Sequence, residues 1–149
     1  MKVNPVERAL EVFTKIRSVI DDNSKLGEDF ETRARSLVSM ISELGLVPTL
    51  SFCYGKAQQD IFKSVYESFS SGKALPKNKE TTKQSYALYL IVVLYYLKEL
   101  RLVGDFSRPD ELIKTLHDMS QGNKAYLYSK LLMPYLIEIK RMAEALYGK

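Results

Sequence analysis

Between Tyr86 and Leu97 the chain reads YALYLIVVLYYL, twelve residues without a single charge. A helix that crosses a bilayer needs about twenty such residues. The run is too short for that and suits the buried middle of a helix spanning about Lys83 to Leu102. Because this helix is apolar on every side, it can be stable in water only when other elements enclose it. The remaining sequence therefore has to supply amphipathic segments that wrap a central helix, and its periodicity does so.

Asn4-Pro5-Val6-Glu7 is a helix start, with Asn as cap, Pro in the first turn and Glu three residues after the cap; the helix runs to about Asp21. The polar stretch from Asp22 to Asp29 reads as a connecting loop with some mobility. Phe30, Ala34, Leu37, Ile41 and Leu44 then form one apolar stripe of a second helix that ends at Gly45. Pro48 restarts a helix whose stripe is Leu50, Tyr54, Ala57, Ile61, Val65 and Phe69, pairing with the second as an antiparallel hairpin. Ser71 to Lys83 holds Gly, Pro, Asn and four lysines, and reads as a surface loop before the central helix.

After Gly104, Ser107-Arg108-Pro109-Asp110 offers a Ser cap and an early Pro for a short helix to about Ser120, buried through Leu112, Ile113, Leu116 and Met119. A last helix follows Gln121-Gly122-Asn123 and reaches Tyr147, with Tyr128, Leu131, Leu132, Tyr135, Leu136, Ile139, Met142, Ala143 and Leu146 facing inward. Pro134 predicts a kink or a break in it. The expected architecture is all-α, a single compact bundle of about six helices forming one domain over residues 1–149.

Several function classes lose their residues at this point. One His (His117) and one Cys (Cys53) cannot build the ligand sets of zinc sites, and a triad is not expected around His117, which lies beside Asp118 on one helix. The seven glycines form neither G-x-G-x-x-G nor G-x-x-x-x-G-K-[ST], so no phosphate cradle for a nucleotide is encoded. The expectation is a binding module without catalytic residues, cofactor or metal. The single Cys and the polar start MKVNPVERAL point to a cytoplasmic protein.

The formal net charge is +4, unevenly spread. Residues 1–72 and 84–123 each carry −1, whereas residues 73–83 carry +3 and residues 124–149 carry +3. Such local excesses serve either as a solvated surface or as contacts to the phosphates of a polyanion. Ten tyrosines could stack on bases, yet Tyr86, Tyr89, Tyr95 and Tyr96 fall in the central helix and read as core, leaving Tyr126 and Tyr147 as the exposed candidates. Cys53 reads as a small core residue, and His117 and Asp118 as helix surface.

The stretch TRARSLVSMISELGLVPTLSFCYGK, Thr32 to Lys56, resembles the small helical subunit of type III-B CRISPR RNA-guided effectors, the Cmr complex small subunit family. The likeness lies in Arg33-Ala34-Arg35, Leu37, Met40-Ile41, Gly45-Leu46, Thr49-Leu50 and Phe52. A second block, YLIEIKRMAEALY at Tyr135 to Tyr147, is similar to the family's C-terminal helix, although Glu138 stands where members often carry a Trp. The resemblance implies a noncatalytic subunit that stacks with copies of itself beside other effector subunits and contacts the backbones of guide and target RNA.

The candidate RNA or subunit contacts are then Arg33, Arg35, Lys56, Lys140 and Arg141 within the two blocks, with Lys77 and Lys79 in the basic loop. For the arginines of the second helix a surface salt bridge, such as Arg35 with Glu31, accounts for the same residues, and for Lys140 and Arg141 a solvated face does. A protein–protein adaptor without nucleic-acid contacts is the other reading of the whole chain.

Overall fold

The computed structural model describes residues 3–149, which form seven helices and, among the described residues, no strand: α1 (Pro5–Ile20), α2 (Ser24–Leu44), α3 (Leu46–Ala57), α4 (Gln59–Ser71), α5 (Thr81–Glu99), α6 (Pro109–Met119) and α7 (Lys124–Tyr147). As its sequence requires, α5 is central: every residue from Ala87 to Leu97 except Tyr95 is buried, and α1, α2, α3, α4 and α7 all pack against it. Each large apolar side chain removed from water contributes about 1.5–3 kcal/mol, so this helix anchors the core. Its N-terminus is tied down as well, since the Thr81 hydroxyl donates to Asp29 of α2 at 2.7 Å.

Several local expectations are corrected. The polar stretch after Asp21 is no loop: Asn23 caps a helix already at Ser24, its Oδ1 accepting from the Leu26 N–H at 3.2 Å. Gly27, a turn former by sequence, sits inside α2 because the Tyr147 ring lies against it; a Cβ there would come within 2.5 Å of Tyr147 Cδ1. The helix expected from Pro48 to Phe69 begins at Leu46 and breaks at Gln58, which adopts φ +68°. The break rotates the following stripe by one position, so that Phe62, not Ile61, joins Val65 and Phe69 in the core. That extra break is why there are seven helices where about six were expected. Helices α2 and α3 do pack on each other, and both pack on α5, while α2 also lies along α7.

Helix α7 passes through Pro134 unbroken. Burial of Leu132, Tyr135, Leu136 and Ile139 holds it, and Tyr135 stacks on Tyr96 at 4.0 Å while donating its hydroxyl to the Val92 carbonyl at 2.9 Å. The absent Pro134 N–H leaves the Lys130 carbonyl without its helical donor, on an exposed residue that water can reach. At α6 the Ser107 hydroxyl is not the cap; Glu111 accepts from the Arg108 N–H at 3.1 Å and from Ser107 at 3.2 Å. Thr115 takes the core place expected of Ile113, which is 61% exposed. Leu44, Leu131 and Leu146 are exposed too, lying on their stripes where neighbouring helices no longer cover them. In the loop before α5, Leu75 is buried and its N–H donates to the Val19 carbonyl at 3.0 Å, while the residues around it stay exposed as expected.

Two stability outcomes follow from this packing. Leu37→Ala should cost about 2–5 kcal/mol, whereas Leu44→Ala, on the same stripe but 63% exposed, should change stability by no more than about 0.5 kcal/mol in chemical denaturation. Replacing the left-handed Gln58 by Gly should raise the unfolding free energy by about 1 kcal/mol, and Gln58→Val should lower it by at least as much, measured the same way.

Candidate nucleic-acid interface

The seven basic residues singled out by sequence divide into two kinds. Four are engaged by acids: Arg35 with Glu31 at 3.4 Å, Lys77 with Asp22 at 3.3 Å, Lys140 with Glu144 at 3.8 Å and Arg141 with Glu138 at 3.4 Å. For Arg35 this is the surface pair foreseen from spacing. Arg33, Lys56 and Lys79 have no carboxylate within 4.0 Å among the described residues.

Arg33 and Lys56 both come to rest on aromatic rings. The Arg33 guanidinium lies 4.4 Å from the centroid of Tyr86 at the start of α5, and the Lys56 ammonium lies 5.5 Å from that of Phe52 on α3. The two rings meet edge to face, 5.6 Å apart and 82° inclined. Helices α2, α3 and α5 thus converge on a ladder of cation, ring, ring and cation. Arg33 is half-buried, and its Nε is shielded from solvent with no acceptor. Tyr86 is half-buried where core was expected, as is Tyr95, while Tyr89 and Tyr96 are buried. Phe52 is 39% exposed.

Beneath the ladder lies Cys53, fully buried as expected. Burial pushes its thiol up to about 12, outweighing the nearby positive charge of Arg33, and burial pushes the Tyr89 phenol up as well. Both groups are held protonated at neutral pH. His117 and Asp118 are exposed on α6, 3.9 Å apart.

The remaining basic residues lie elsewhere. Arg35 borders a small cleft with Tyr147 and Lys149 where α2 meets the end of α7. Arg141 stands on the rim of a larger apolar groove of about 940 Å³, formed by Val6, Leu46, Tyr126, Met133, Pro134 and Ile137 among others. Tyr126 is exposed there, with Lys130 5.0 Å above its ring. Tyr147 is half-buried, stacked on Phe13 at 6.3 Å, and does not offer the exposed ring expected of it. Arg33 thus stands at the ladder, Arg35 at the small cleft and Arg141 at the groove. The sequence missed the partnership of Phe52 with Tyr86; Phe52 stood in a family-like block, but no spacing links residue 52 to residue 86.

The described residues form an all-helical bundle with cations displayed on its faces, which defines the chain as a helical protein with basic surfaces. The CRISPR-associated protein family Cas_Cmr5 matches residues 5–146, and the chain belongs to that family. It is 32% identical to the CRISPR system CMR subunit Cmr5 of Saccharolobus solfataricus, over 93% of this chain and 90% of that protein. Its fold is similar to a chain of the type III-B Cmr-beta complex bound to non-cognate target RNA, with a TM-score of 0.83 and 28% identity over 99% of this chain and 98% of the other. A chain of the Cmr-beta complex bound to cognate target RNA and AMPPnP gives a TM-score of 0.77 and 27% identity over 97% of both chains.

The burial of Cys53 makes a pH-dependent prediction. A disulfide reagent at pH 8 meets about a thousandfold less thiolate in the folded chain than in the unfolded one, so labelling should wait for unfolding. Above pH 9 the unfolded thiol ionises while the folded one stays protonated, so stability is full below pH 9 and falls as pH rises towards 12, by about 1.4 kcal/mol per unit from this group. Denaturation of wild type and Cys53→Ala at pH 8 and pH 10 should show the smaller decline in the variant.

Proposed function

We propose that this chain is the noncatalytic small subunit of a cytoplasmic type III-B effector, a single helical domain that stacks with copies of itself and with other subunits and contacts guide and target RNA through the phosphate backbone. The observation that carries the reading is the match of nearly the whole chain to subunits of Cmr-beta complexes described with target RNA bound. It is supported by the scarcity of catalytic side chains in the sequence. Rigid helices offering Lys and Arg can hold a backbone without reading bases, which suits an effector whose sequence choice resides in guide pairing. The residues assigned to RNA or to neighbouring subunits are Arg33, Arg35, Lys56, Lys77, Lys79, Lys140 and Arg141. The ion pairs of Lys77 and Lys140 do not oppose this, since an exposed pair contributes about 0–1 kcal/mol and is readily exchanged for a phosphate, and Arg35 and Arg141, although set against the buried carboxylates of Glu31 and Glu138, are themselves mostly exposed.

The apolar groove beside Pro134 favours a second reading, an adaptor that docks protein partners and no nucleic acid. A salt series separates the two. In a guide-loaded complex assembled from purified subunits, combining Lys56→Gln, Lys77→Gln, Lys79→Gln and Lys140→Gln, whose only acidic partners are exposed, should leave helicity and melting nearly unchanged. The Lys variant should flatten the log–log salt dependence of target-RNA binding by about 0.7 for each phosphate that is no longer neutralised. An unchanged slope and affinity would assign these residues to solvent and leave the adaptor reading.

A further inference from the structure

The ladder at α2, α3 and α5 has a chemistry that backbone contact alone does not use. Phe52 is 39% exposed, with the Lys56 ammonium over its ring, on a helix whose next turn is Gly55, where an added Cβ would meet nothing within 4 Å. The surface beside the ring is therefore open. Tyr86 supports the ring from its edge at 5.6 Å, so its position is fixed from behind by a residue of the central helix. On either side stand Arg33 and Lys56, the two candidate cations that hold an aromatic ring and no carboxylate. Four of the seven candidate cations pair with acids, whereas these two, like Lys79, have no carboxylate within 4.0 Å among the described residues, and the Arg33 Nε has no acceptor there.

From this arrangement we infer that Phe52, braced by Tyr86 and flanked by Arg33 and Lys56, is a stacking site for an unpaired nucleobase of single-stranded RNA, with the two cations holding the adjoining phosphates. This rests on the proposed role as an RNA-contacting subunit and adds a contact to a base. A phenyl face has no hydrogen-bonding edge, so any base stacks on it and no sequence preference results. The site thus adds affinity without competing with the guide for sequence choice. Guanidinium and ammonium groups beside the rings supply the charge that keeps the phosphates of that nucleotide in register.

Stacking and charge are separable because stacking does not displace counterions. In the guide-loaded complex, Phe52→Ala should weaken target-RNA binding about 5- to 100-fold with the salt slope unchanged. Phe52→Trp should restore it, and Lys56→Gln should instead flatten the slope by about 0.7. Target RNA carrying 4-thiouridine should photocrosslink to the peptide containing Phe52 in wild type and in the Trp variant. Unchanged affinity in Phe52→Ala, together with no crosslink at that peptide, would overturn the stacking site. If the fourfold Gln variant still flattens the slope, the backbone role stands without the stack; if it too behaves as wild type, both fall. A folded Phe52→Ala chain that fails to enter the complex would overturn the inference as well, and would make this face a protein interface.

Discussion

Everything in this bundle depends on α5 having no polar side. A helix with one apolar stripe can lie on a core, but one that is apolar all round has to be surrounded, and the chain supplies α1, α2, α3, α4 and α7 for that purpose. Some polar atoms within this shell find partners and others, the Gln84 Oε1 and the Tyr89 hydroxyl of α5, have none among the described residues. The Tyr135 hydroxyl reaches the Val92 carbonyl, and Thr81 reaches Asp29. With the core centred on one helix, the outer faces of the others are free to carry charge, and surface residues can vary in role without disturbing the packing.

The disposition of that charge is more informative than its sum. Arg35, Lys77, Lys140 and Arg141 face acids on neighbouring turns or loops, whereas Arg33 and Lys56 face π-systems, which attract a cation without cancelling its charge. A guanidinium stacked on a ring still has donors to offer an incoming anion. The two kinds of cation are indistinguishable in composition and differ only in what the fold sets beside them. The apolar groove along α7 is a separate surface, so the bundle has distinct faces with distinct chemistry.

Where sequence reading and structure part, the reasons are specific. Asn23 and Gly27 have the chemistry of turn formers, but one caps a helix and the other makes room for Tyr147, a residue 120 positions away in the chain. Gln58 gives no warning of its left-handed backbone beyond the polar run Gln58-Gln59-Asp60. Pro134 should break α7, yet the burial of Tyr135, Leu136 and Ile139 outweighs one missing hydrogen bond at an exposed turn.

Periodicity and capping are local, so the sequence by itself determined the helical class, the identity of the central helix, most of the core stripes and the family-like blocks. They also set the expectation of basic contacts at Arg33 and Lys56. Which end of a stripe is covered, as at Leu44 and Leu131, depends on where a partner helix stops, and only the tertiary structure decided it. The same holds for the ladder: residues 33, 52, 56 and 86 come from three helices, and their rings and cations meet only because α2 and α3 both pack on α5. Spacing along a chain fixes which face of a helix is apolar, but the pairing of faces is settled by which helices can enclose α5 together.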